Sequence, residues 1–401
     1  MKRILFVALA ATLLAAGCQK TEIINPVGNA IGFSTGLNKL TKASDADQTG
    51  TQNLQQQNFR VWAYCAYEDV NTDATELNSV YDEIKNLKVT YTPAAEGVSE
   101  SWGTAKEYFW PGQAKELRFF AVSASEKSVG AELSTEKVVI PADGTDKLEV
   151  KDFVVDHQSP NEDLMVADFV KQHQGDKVVD LTFHHTLSKV QFVFKTIANS
   201  DAKVYVQELK VADMQTKGTL TVTPKSTATV ADEGTTYQGT QTPVAFTWTP
   251  SAKVETEGSA TVDVGAPQIF FDDWKTKVVT DSQAQNYDPD FPAKIDGADA
   301  TADDKVAMKV TATGGQDDPA QVFTTWLMLP QSVAGKKVEI TYLINQRKFT
   351  SIFPLESSRL TDNKWVENQY IKYTITLAPN LISFNPSVEE WTPTTEVSNQ
   401  N

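Results

Sequence analysis

Hydrophobic and polar residues alternate with a period of two along most of this chain. Ile31, Phe33 and Leu37 are separated by small or polar residues, and every odd-numbered residue from Phe59 to Tyr67 is apolar or aromatic. Side chains on a β-strand point alternately to its two faces, so this period predicts strands with one face buried. Both segments are therefore predicted to be strands.

Many further short apolar segments follow, separated by turn-forming clusters such as Asp143-Gly144 and Ser159-Pro160. Residues 117–124, with the sequence LRFFAVSA, are mostly apolar on both faces, which is typical of a strand in the middle of a sheet. Long segments with helical periodicity are missing from the sequence. This pattern predicts an all-β protein built from β-sandwiches, and its length predicts two of them in tandem.

The polar stretch from Lys171 to Lys177 separates the two predicted sandwiches. We expect a signal peptide at residues 1–17, an N-terminal β-sandwich domain at 18–177 and a C-terminal β-sandwich domain at 178–401.

The second domain is expected to open with a long strand at residues 178–195. The alternation of this strand places Phe183, His185 and Leu187 on the face that points into the core of that domain. His185 is accordingly interpreted as a hydrogen-bonded core residue. The opposite, outward face carries Thr182, His184 and Thr186.

The N-terminus has the organisation of an export signal. Lys2 and Arg3 precede an apolar run from Ile4 to Ala16, which is shorter than the roughly 20 residues that a membrane-spanning helix needs. The run ends in LAAGC, which resembles a bacterial lipobox, whose cysteine is acylated and becomes the first residue of the mature protein. We therefore expect acylation of Cys18 and a lipid anchor in the outer membrane, with an ordinary signal peptide as the alternative.

The net charge of −16 excludes one class of function. An acidic surface repels nucleic acid and anionic membrane surfaces, so no nucleic-acid partner is expected. If Cys18 carries lipid, the second of the two cysteines, Cys65, has no disulfide partner, and we expect it to be a buried, inert thiol.

No motif for catalysis or metal binding stands out. The sequence contains no G-x-S-x-G, P-loop or H-E-x-x-H motif. Adjacent residues of a strand point to opposite faces, so His184 and His185 cannot ligate one metal ion. The aspartates lack the spacing of a Ca²⁺-binding loop, although a weak Ca²⁺ site in the loop at 296–304 stays open as an alternative. We expect no enzyme activity, no cofactor and no resident metal.

Several short motifs follow one another along the chain: FRVWA at 59–63, YFWP at 108–111, LRFFA at 117–121, LTFHHTLSKV at 181–190 and ISFNPSVEEW at 382–391. Their order resembles the fimbrillin family of Bacteroidia, which comprises the type V pilus subunits and their relatives. The resemblance implies two transthyretin-like β-sandwich domains, export as a lipoprotein and assembly by strand exchange with other fimbrial subunits. In polymerising members of the family, a protease that usually cuts after Arg removes the first strand, and a strand of a neighbouring subunit fills the groove.

This sequence differs from the family pattern at the expected cleavage site. No Arg lies between Cys18 and Phe59, so the candidate processing sites are Lys39 and Lys42. The alternative is that the chain is never cut, in which case it would be a lipid-retained anchor, an accessory protein or an adhesin.

The candidate donor strand lies within residues 381–397. There Ile382, Phe384 and Val388 repeat the spacing of the apolar residues in the first strand. The alternative is that this segment closes the C-terminal sandwich, and Pro386 favours an edge position in both cases.

The sequence thus predicts a fimbrial structural or adhesin subunit that assembles by donor-strand exchange with copies of itself or with related subunits. The alternative is a surface lipoprotein that does not polymerise and that binds glycans or host proteins.

Overall fold

The structure is a computed structural model. It describes residues 30–35, 54, 58–67, 77–111, 114–123, 137–141, 145–155, 163–173, 178–196, 202–211, 214–225, 240–250, 288, 290–310, 322–379 and 381–390.

Most of the described residues lie in β-strands, which confirms the predicted all-β fold class. Short 3₁₀ turns lie at Asp82–Ile84 and Thr361–Asn363. Among the described residues, no helix has the length and apolar character needed to cross a membrane.

The strands of the first half, in chain order, are β1 Gly32–Thr35, β2 Phe59–Tyr67, β3 Leu77–Val80, β4 Leu87–Thr92, β5 Ser101–Gly103, β6 Ala114–Ser123, β7 Val138–Val139, β8 Leu148–Val154, β9 Met165–Ala167, β10 Phe169–His173, β11 Val178–Leu181, β12 Phe183–His185 and β13 Ser188–Lys195.

The strands that follow are β14 Val204–Val211, β15 Lys217–Pro224, β16 Thr240–Thr242, β17 Val244–Pro250, β18 Lys294–Ile295, β19 Ala298–Asp299, β20 Met308–Val310, β21 Val322–Met328, β22 Gln331–Ser332, β23 Lys337–Ile344, β24 Arg347–Pro354, β25 Lys364–Trp365, β26 Gln369–Ala378 and β27 Leu381–Glu390.

We call the part of the fold that contains β1 to β12 and β15 to β17 the N-terminal half, and the remaining sandwich the C-terminal half. The N-terminal half is built around a nine-stranded sheet with the main strand order β12-β9-β6-β2-β4-β5. In addition, β10 pairs with β6, β16 pairs with β10, and β3 pairs with β2. On β2 and β6, Val61 and Phe119 point into a core on one face of the sheet. Trp62 and Phe120 point into a second core on the other face. The expectation that residues 117–124 form a central strand is therefore confirmed.

Two smaller sheets close these two cores. The strands β1 and β11 form a parallel two-stranded sheet that contributes Phe33 and Leu181 to the first core. The four-stranded sheet β17-β15-β8-β7 contributes Leu220 and Val222 to the second core. The N-terminal half therefore consists of stacked sheets with apolar side chains between them.

The C-terminal half is a β-sandwich of two four-stranded sheets, β21-β13-β26-β27 and β20-β14-β23-β24. Phe192 stacks on Tyr373 in the core between them, with ring centroids 5.2 Å apart. Trp365 donates from Nε1 to the hydroxyl of Tyr373 at 2.9 Å, and that hydroxyl donates to the carbonyl of Leu355 at 2.9 Å. The polar atoms of these buried aromatic side chains are therefore satisfied.

The predicted long strand at 178–195 is divided into β11, β12 and β13. As expected, Phe183 and His185 are buried, and His184 points to the opposite face. The expectation that they face the C-terminal core is wrong, because β12 pairs with β9 of the nine-stranded sheet. Phe183 contacts Phe59 of β2, with ring centroids 5.2 Å apart, and Leu187 lies in the second N-terminal core.

Thr186 was also expected to point outward, and the structure shows that it is fully buried. Both its backbone N–H and its hydroxyl donate to the carbonyl of Leu164, at 3.0 and 2.7 Å. A threonine between two strands can thus satisfy its polar groups inside the core. The division of the chain at residue 177 stays a prediction, and strands on both sides of it share one sheet.

Candidate functional site

The first strand, β1, inserts one aromatic side chain into the N-terminal core. Phe33 is only 2% exposed. Its ring meets the rings of Phe59 and Phe119 edge to face, with centroid distances of 6.5 and 6.1 Å. Edge-to-face pairs of this kind add to the stabilisation that burial provides. A strand of four residues is thus attached to the centre of the nine-stranded sheet by a single large side chain.

The backbone of this N-terminal segment has partners on both of its edges. On one edge β1 pairs in parallel with β11, from Gly32 opposite Val178 to Thr35 opposite Leu181. On the other edge, the N–H of Ile31 donates to the carbonyl of Tyr108 at 2.7 Å. The segment therefore lies in a slot between β11 and the chain at residues 108–109.

A polar contact fixes the register of β1 on β11. The hydroxyl of Ser34 donates to Oδ1 of Asp180 at 2.9 Å. The Asp180 carbonyl in turn accepts from Nε2 of Gln241 at 2.9 Å, and Oε1 of Gln241 accepts from the hydroxyl of Thr182 at 3.1 Å. Asp180 is thus held in place by groups that do not belong to β1.

Within the described residues, β1 is the one strand that pairs with β11. Loss of β1 would therefore leave an unpaired backbone edge on β11 and would uncover Phe59 and Phe119. An exposed strand edge beside an apolar groove is a site at which another strand adds readily.

The other candidate element, β27, forms a hairpin with β26 over its whole length, from Ala378 opposite Leu381 to Gln369 opposite Glu390. It is an edge strand, since β26 is its only partner strand among the described residues. The position of Pro386 on an edge agrees with the sequence expectation.

Two of the three predicted donor residues pack inward in this structure. Phe384 stacks on Phe353 and Tyr373, with ring centroids 5.3 and 5.1 Å apart, and Val388 also packs against the C-terminal core. Ile382 is 40% exposed. The segment at 381–390 therefore occupies the position of a closing strand in the isolated chain, and release as a donor would uncover part of that core.

The two adjacent histidines belong to separate hydrogen-bonded pairs. Nε2 of His184 lies 2.9 Å from Oδ1 of Asp168, while Nδ1 of His185 lies 2.5 Å from Oδ2 of the buried Asp163. The interpretation of His185 as a hydrogen-bonded core residue is confirmed. Because the rings point to opposite faces of β12, they do not form a common site.

The acidic residues after residue 287 form ion pairs that tie this segment to the C-terminal sandwich. Nζ of Lys309 lies 2.9 Å from Oδ2 of Asp288 and 3.2 Å from Oδ2 of Asp290, and the hydroxyl of Tyr205 donates to Asp288 at 2.9 Å. Lys203 also pairs with Asp290, at 3.3 Å. We call Tyr205, Asp288, Asp290 and Lys309 the ionic latch.

The pKa values of the ionic latch follow from these contacts. Burial, followed by the hydrogen bond to Asp288, raises the pKa of Tyr205. Burial acts to raise the pKa of Asp288, but hydrogen bonds from Lys309, the Asp290 backbone and Tyr205 bring it below its usual value. The hydrogen bond from Lys309 lowers the pKa of Asp290, and the hydrogen bond to Asp288 raises that of Lys309. This is the pattern of a structural ion-pair cluster.

In the loop at 296–304, Asp304 accepts hydrogen bonds from the backbone N–H and the hydroxyl of Thr301, at 3.0 and 2.6 Å. Lys348 lies 3.4 Å from the same carboxylate. These contacts stabilise the turn itself. The described part of the chain holds no group of three or more His, Cys, Asp or Glu residues that could bind a metal ion.

Several residues singled out from the sequence lie outside the described residues. These are the acylation candidate Cys18, the processing candidates Lys39 and Lys42, and the part of the donor segment at 391–397. The structure in turn adds residues that the sequence did not indicate. Asp180 and Gln241 help to form the slot around the N-terminal segment, together with the carbonyl of Tyr108 from the YFWP motif. No sequence motif marks Asp180 and Gln241, because they act through single hydrogen bonds.

Comparison with known proteins gives one match to a family model. The model, described as fimbrillin-like, matches residues 41–287. A comparison with curated protein sequences finds no match.

Among solved structures, a fimbrial protein from Bacteroides vulgatus ATCC 8482 is similar to this chain with 16% identity and a TM-score of 0.49, and the match covers 90% of this chain and 99% of the other. A fimbrial assembly protein from Parabacteroides distasonis ATCC 8503 is similar with 9% identity and a TM-score of 0.30, over 86% of this chain and 94% of the other.

Proposed function

Because this chain belongs to the fimbrillin-like family, we propose that it is a fimbrial structural or adhesin subunit, exported as a lipoprotein and assembled by donor-strand exchange. The observation that carries the proposal is the position of β1. This strand of four residues fills an aromatic groove with Phe33, and it is the one strand paired with β11 within the described residues. It can therefore leave without breaking any pairing within the nine-stranded sheet.

Departure of β1 creates the acceptor site. The backbone of β11 and the carbonyl of Tyr108 lose their hydrogen-bonding partners, and Phe59 and Phe119 lose the ring that covers them. Both changes are unfavourable in water until another strand replaces β1. A strand from a neighbouring subunit restores the same contacts.

We propose β27 as the donor, because Ile382, Phe384 and Val388 reproduce the spacing of apolar residues in the first strand. Because β27 is an edge strand, its release breaks only its pairing with β26. That pairing covers ten residues, whereas the pairing of β1 with β11 covers four. Backbone pairing alone therefore opposes the exchange, and we propose that cleavage at Lys39 or Lys42 is required, because the cut first strand can then diffuse away.

The lipid anchor is proposed at Cys18, which would hold the subunit at the outer membrane before assembly. The expected partners are other fimbrial subunits, and host proteins or glycans if the subunit acts as an adhesin. Membership of the family supports a structural protein, and we propose that the chain has no catalytic role.

The test uses the full-length chain with a specific protease site placed between Lys39 and Lys42. Cutting should convert monomers into SDS-resistant oligomers, which appear as a ladder of bands on a gel, because exchanged strands dissociate slowly. The uncut protein should stay monomeric. If the cut protein stays monomeric at every concentration, strand exchange is refuted.

A second variant ends after Ala378 and so lacks β27. If β27 is the donor, the cut form of this variant stays folded and forms no ladders, but it still accepts a strand from intact copies. If the truncation unfolds the C-terminal sandwich, β27 is a core strand and the donor assignment is refuted.

The second candidate function is a surface lipoprotein that does not polymerise and that binds glycans or host proteins. It is favoured by the absence of Arg between Cys18 and Phe59, since a protease that requires Arg would leave the chain uncut. The N-terminus of the mature protein on cells separates the two functions. An acylated Cys18 in every copy supports the second candidate, whereas a start at Leu40 or Ala43 supports the polymerising subunit.

A further inference from the structure

We propose that the groove selects one register of the incoming strand, in which Phe384 of a second copy replaces Phe33 and Asn385 lies opposite Asp180. The strand runs parallel to β11, as β1 does. This inference rests on the proposed strand exchange and adds to it the direction of the strand, its register and the residue that enforces the register.

The first determinant is the aromatic pocket. Phe33 is 2% exposed and meets Phe59 and Phe119 edge to face, so a smaller side chain at this position would leave a cavity in the core. Phe384 is the one aromatic residue between Leu381 and Glu390. A shift of two residues would keep the faces of the strand but would place Ile382 or Pro386, neither of which is aromatic, in the pocket.

The second determinant is Asp180. Its carboxylate accepts from Ser34, and the hydrogen bond from Gln241 to its carbonyl keeps it in place after β1 has left. A partly buried carboxylate that loses its donor is destabilising. In the proposed register the residue opposite Asp180 is Asn385, and asparagine, like serine, carries a side-chain donor.

A shift of one residue is excluded by the same carboxylate. It would place Phe384 or Pro386 opposite Asp180, and neither residue has a side-chain donor. It would also turn the apolar face of the strand away from the core. The pocket and Asp180 together therefore leave one favourable register for this segment.

The register is tested by disulfide trapping in the full-length chain that carries the protease site. Ser34 and Asp180 are directly opposite each other in the ladder, and opposite residues in paired strands lie within the Cα separation of about 4.4–6.8 Å that a disulfide requires. Copies with Asp180→Cys are mixed with copies that carry Asn385→Cys, cut and oxidised. Matched controls carry Ser383→Cys or Ser387→Cys, two residues away on either side.

We expect a cross-linked dimer from the 180–385 pair in several-fold higher yield than from either control pair. Each single variant on its own shows the background from the native cysteines. Preferred cross-linking at 383 or 387, with normal ladders, would overturn the register and leave strand exchange intact. If the reduced, cut proteins form no ladders at all, the proposed function fails and this inference fails with it.

The role of Asp180 is tested by rescue. Asp180→Leu should slow ladder formation several-fold without unfolding the uncut chain, and Asn385→Leu in the donor should restore the rate, since two apolar groups then face each other. If Asn385→Leu in the donor lowers the rate of the Asp180→Leu acceptor further, residue 385 does not face residue 180.

Discussion

Phe33 and Phe119 meet edge to face in the N-terminal core, with ring centroids 6.1 Å apart and ring planes at 85°. The two residues belong to different sheets, because Phe33 lies on β1 and Phe119 on β6. This contact joins the two-stranded sheet to the centre of the nine-stranded sheet. The attachment of the first strand therefore depends on a side chain whose removal has a measurable effect.

Replacement of Phe33 by alanine should lower the free energy of unfolding by up to about 3–5 kcal/mol, as for other large core aromatic residues. Thr35→Ala on the same strand is the matched control, and at a half-exposed position it should cost less than about 1 kcal/mol. Urea unfolding of the uncut chain measures both values. Similar losses from the two variants would show that Phe33 does not anchor β1.

Phe183→Ala should destabilise the N-terminal half, because the ring of Phe183 packs on Phe59 of β2. We expect the free energy of unfolding to fall by about 3–5 kcal/mol. Thr182→Ala, which removes a hydrogen bond to Gln241, should cost about 1 kcal/mol or less.

Amide hydrogen exchange locates the effect of Phe183→Ala. Protection should fall in β2 and β6 and should persist in β23 and β26. A fall confined to the C-terminal strands would contradict the assignment of Phe183 to the N-terminal core.

Cys18→Ala should release the protein from membranes, because no acyl chain can then be attached. Partitioning between aqueous and detergent phases measures the change. Cys65→Ala is the control, since this buried thiol lies in a strand of the core and should not affect the partitioning. Unchanged partitioning of the Cys18→Ala protein would rule out the lipid anchor.

The ionic latch should stabilise the protein over a defined pH range. The pKa values of Asp288 and Asp290 are lowered in the folded state, so their contribution is present above the carboxylate reference pKa of about 4 and is lost as the pH falls through the folded-state values. The pKa of Lys309 is raised, so its contribution is present below about pH 10.4 and is lost as the pH rises further.

The measurement is the difference in unfolding free energy between the native chain and Lys309→Met as a function of pH. This difference should be largest between about pH 5 and 10 and should shrink on both sides. Lys294→Met is the control, because its partner Asp299 is 88% exposed and such pairs contribute little. A difference that does not vary with pH would show that Lys309 acts through packing and not through charge.

The pattern of apolar residues was sufficient to predict the all-β class and the central position of residues 117–124. A strand buried on one face has apolar residues at alternate positions, and a strand buried on both faces has a continuous apolar run. The same reasoning identified His185 as a core residue. It could not assign β11 and β12 to the N-terminal half. That assignment depends on which distant strand they pair with, and an apolar face fits many partners equally well.

The candidate site was predictable to a similar extent. Alternation identified the strand that carries Phe33, but not its parallel pairing with β11, because parallel partners can lie anywhere along the chain. Asp180 and Gln241 could not be found from the sequence, since an isolated polar residue in a strand gives no indication of its hydrogen-bonding partner.

The position of β13 inside the C-terminal sheet affects the order in which this chain folds. Ser188 pairs with Met328, and Lys189 pairs with Tyr370, so both neighbours of β13 come from far later in the chain. Contacts between such distant segments form slowly. Until they form, a strand with two unpaired edges is prone to aggregate. The C-terminal sandwich therefore closes only when β26 is available, and a chain that is interrupted before Gln369 keeps β13 uncovered and open to aggregation and proteolysis.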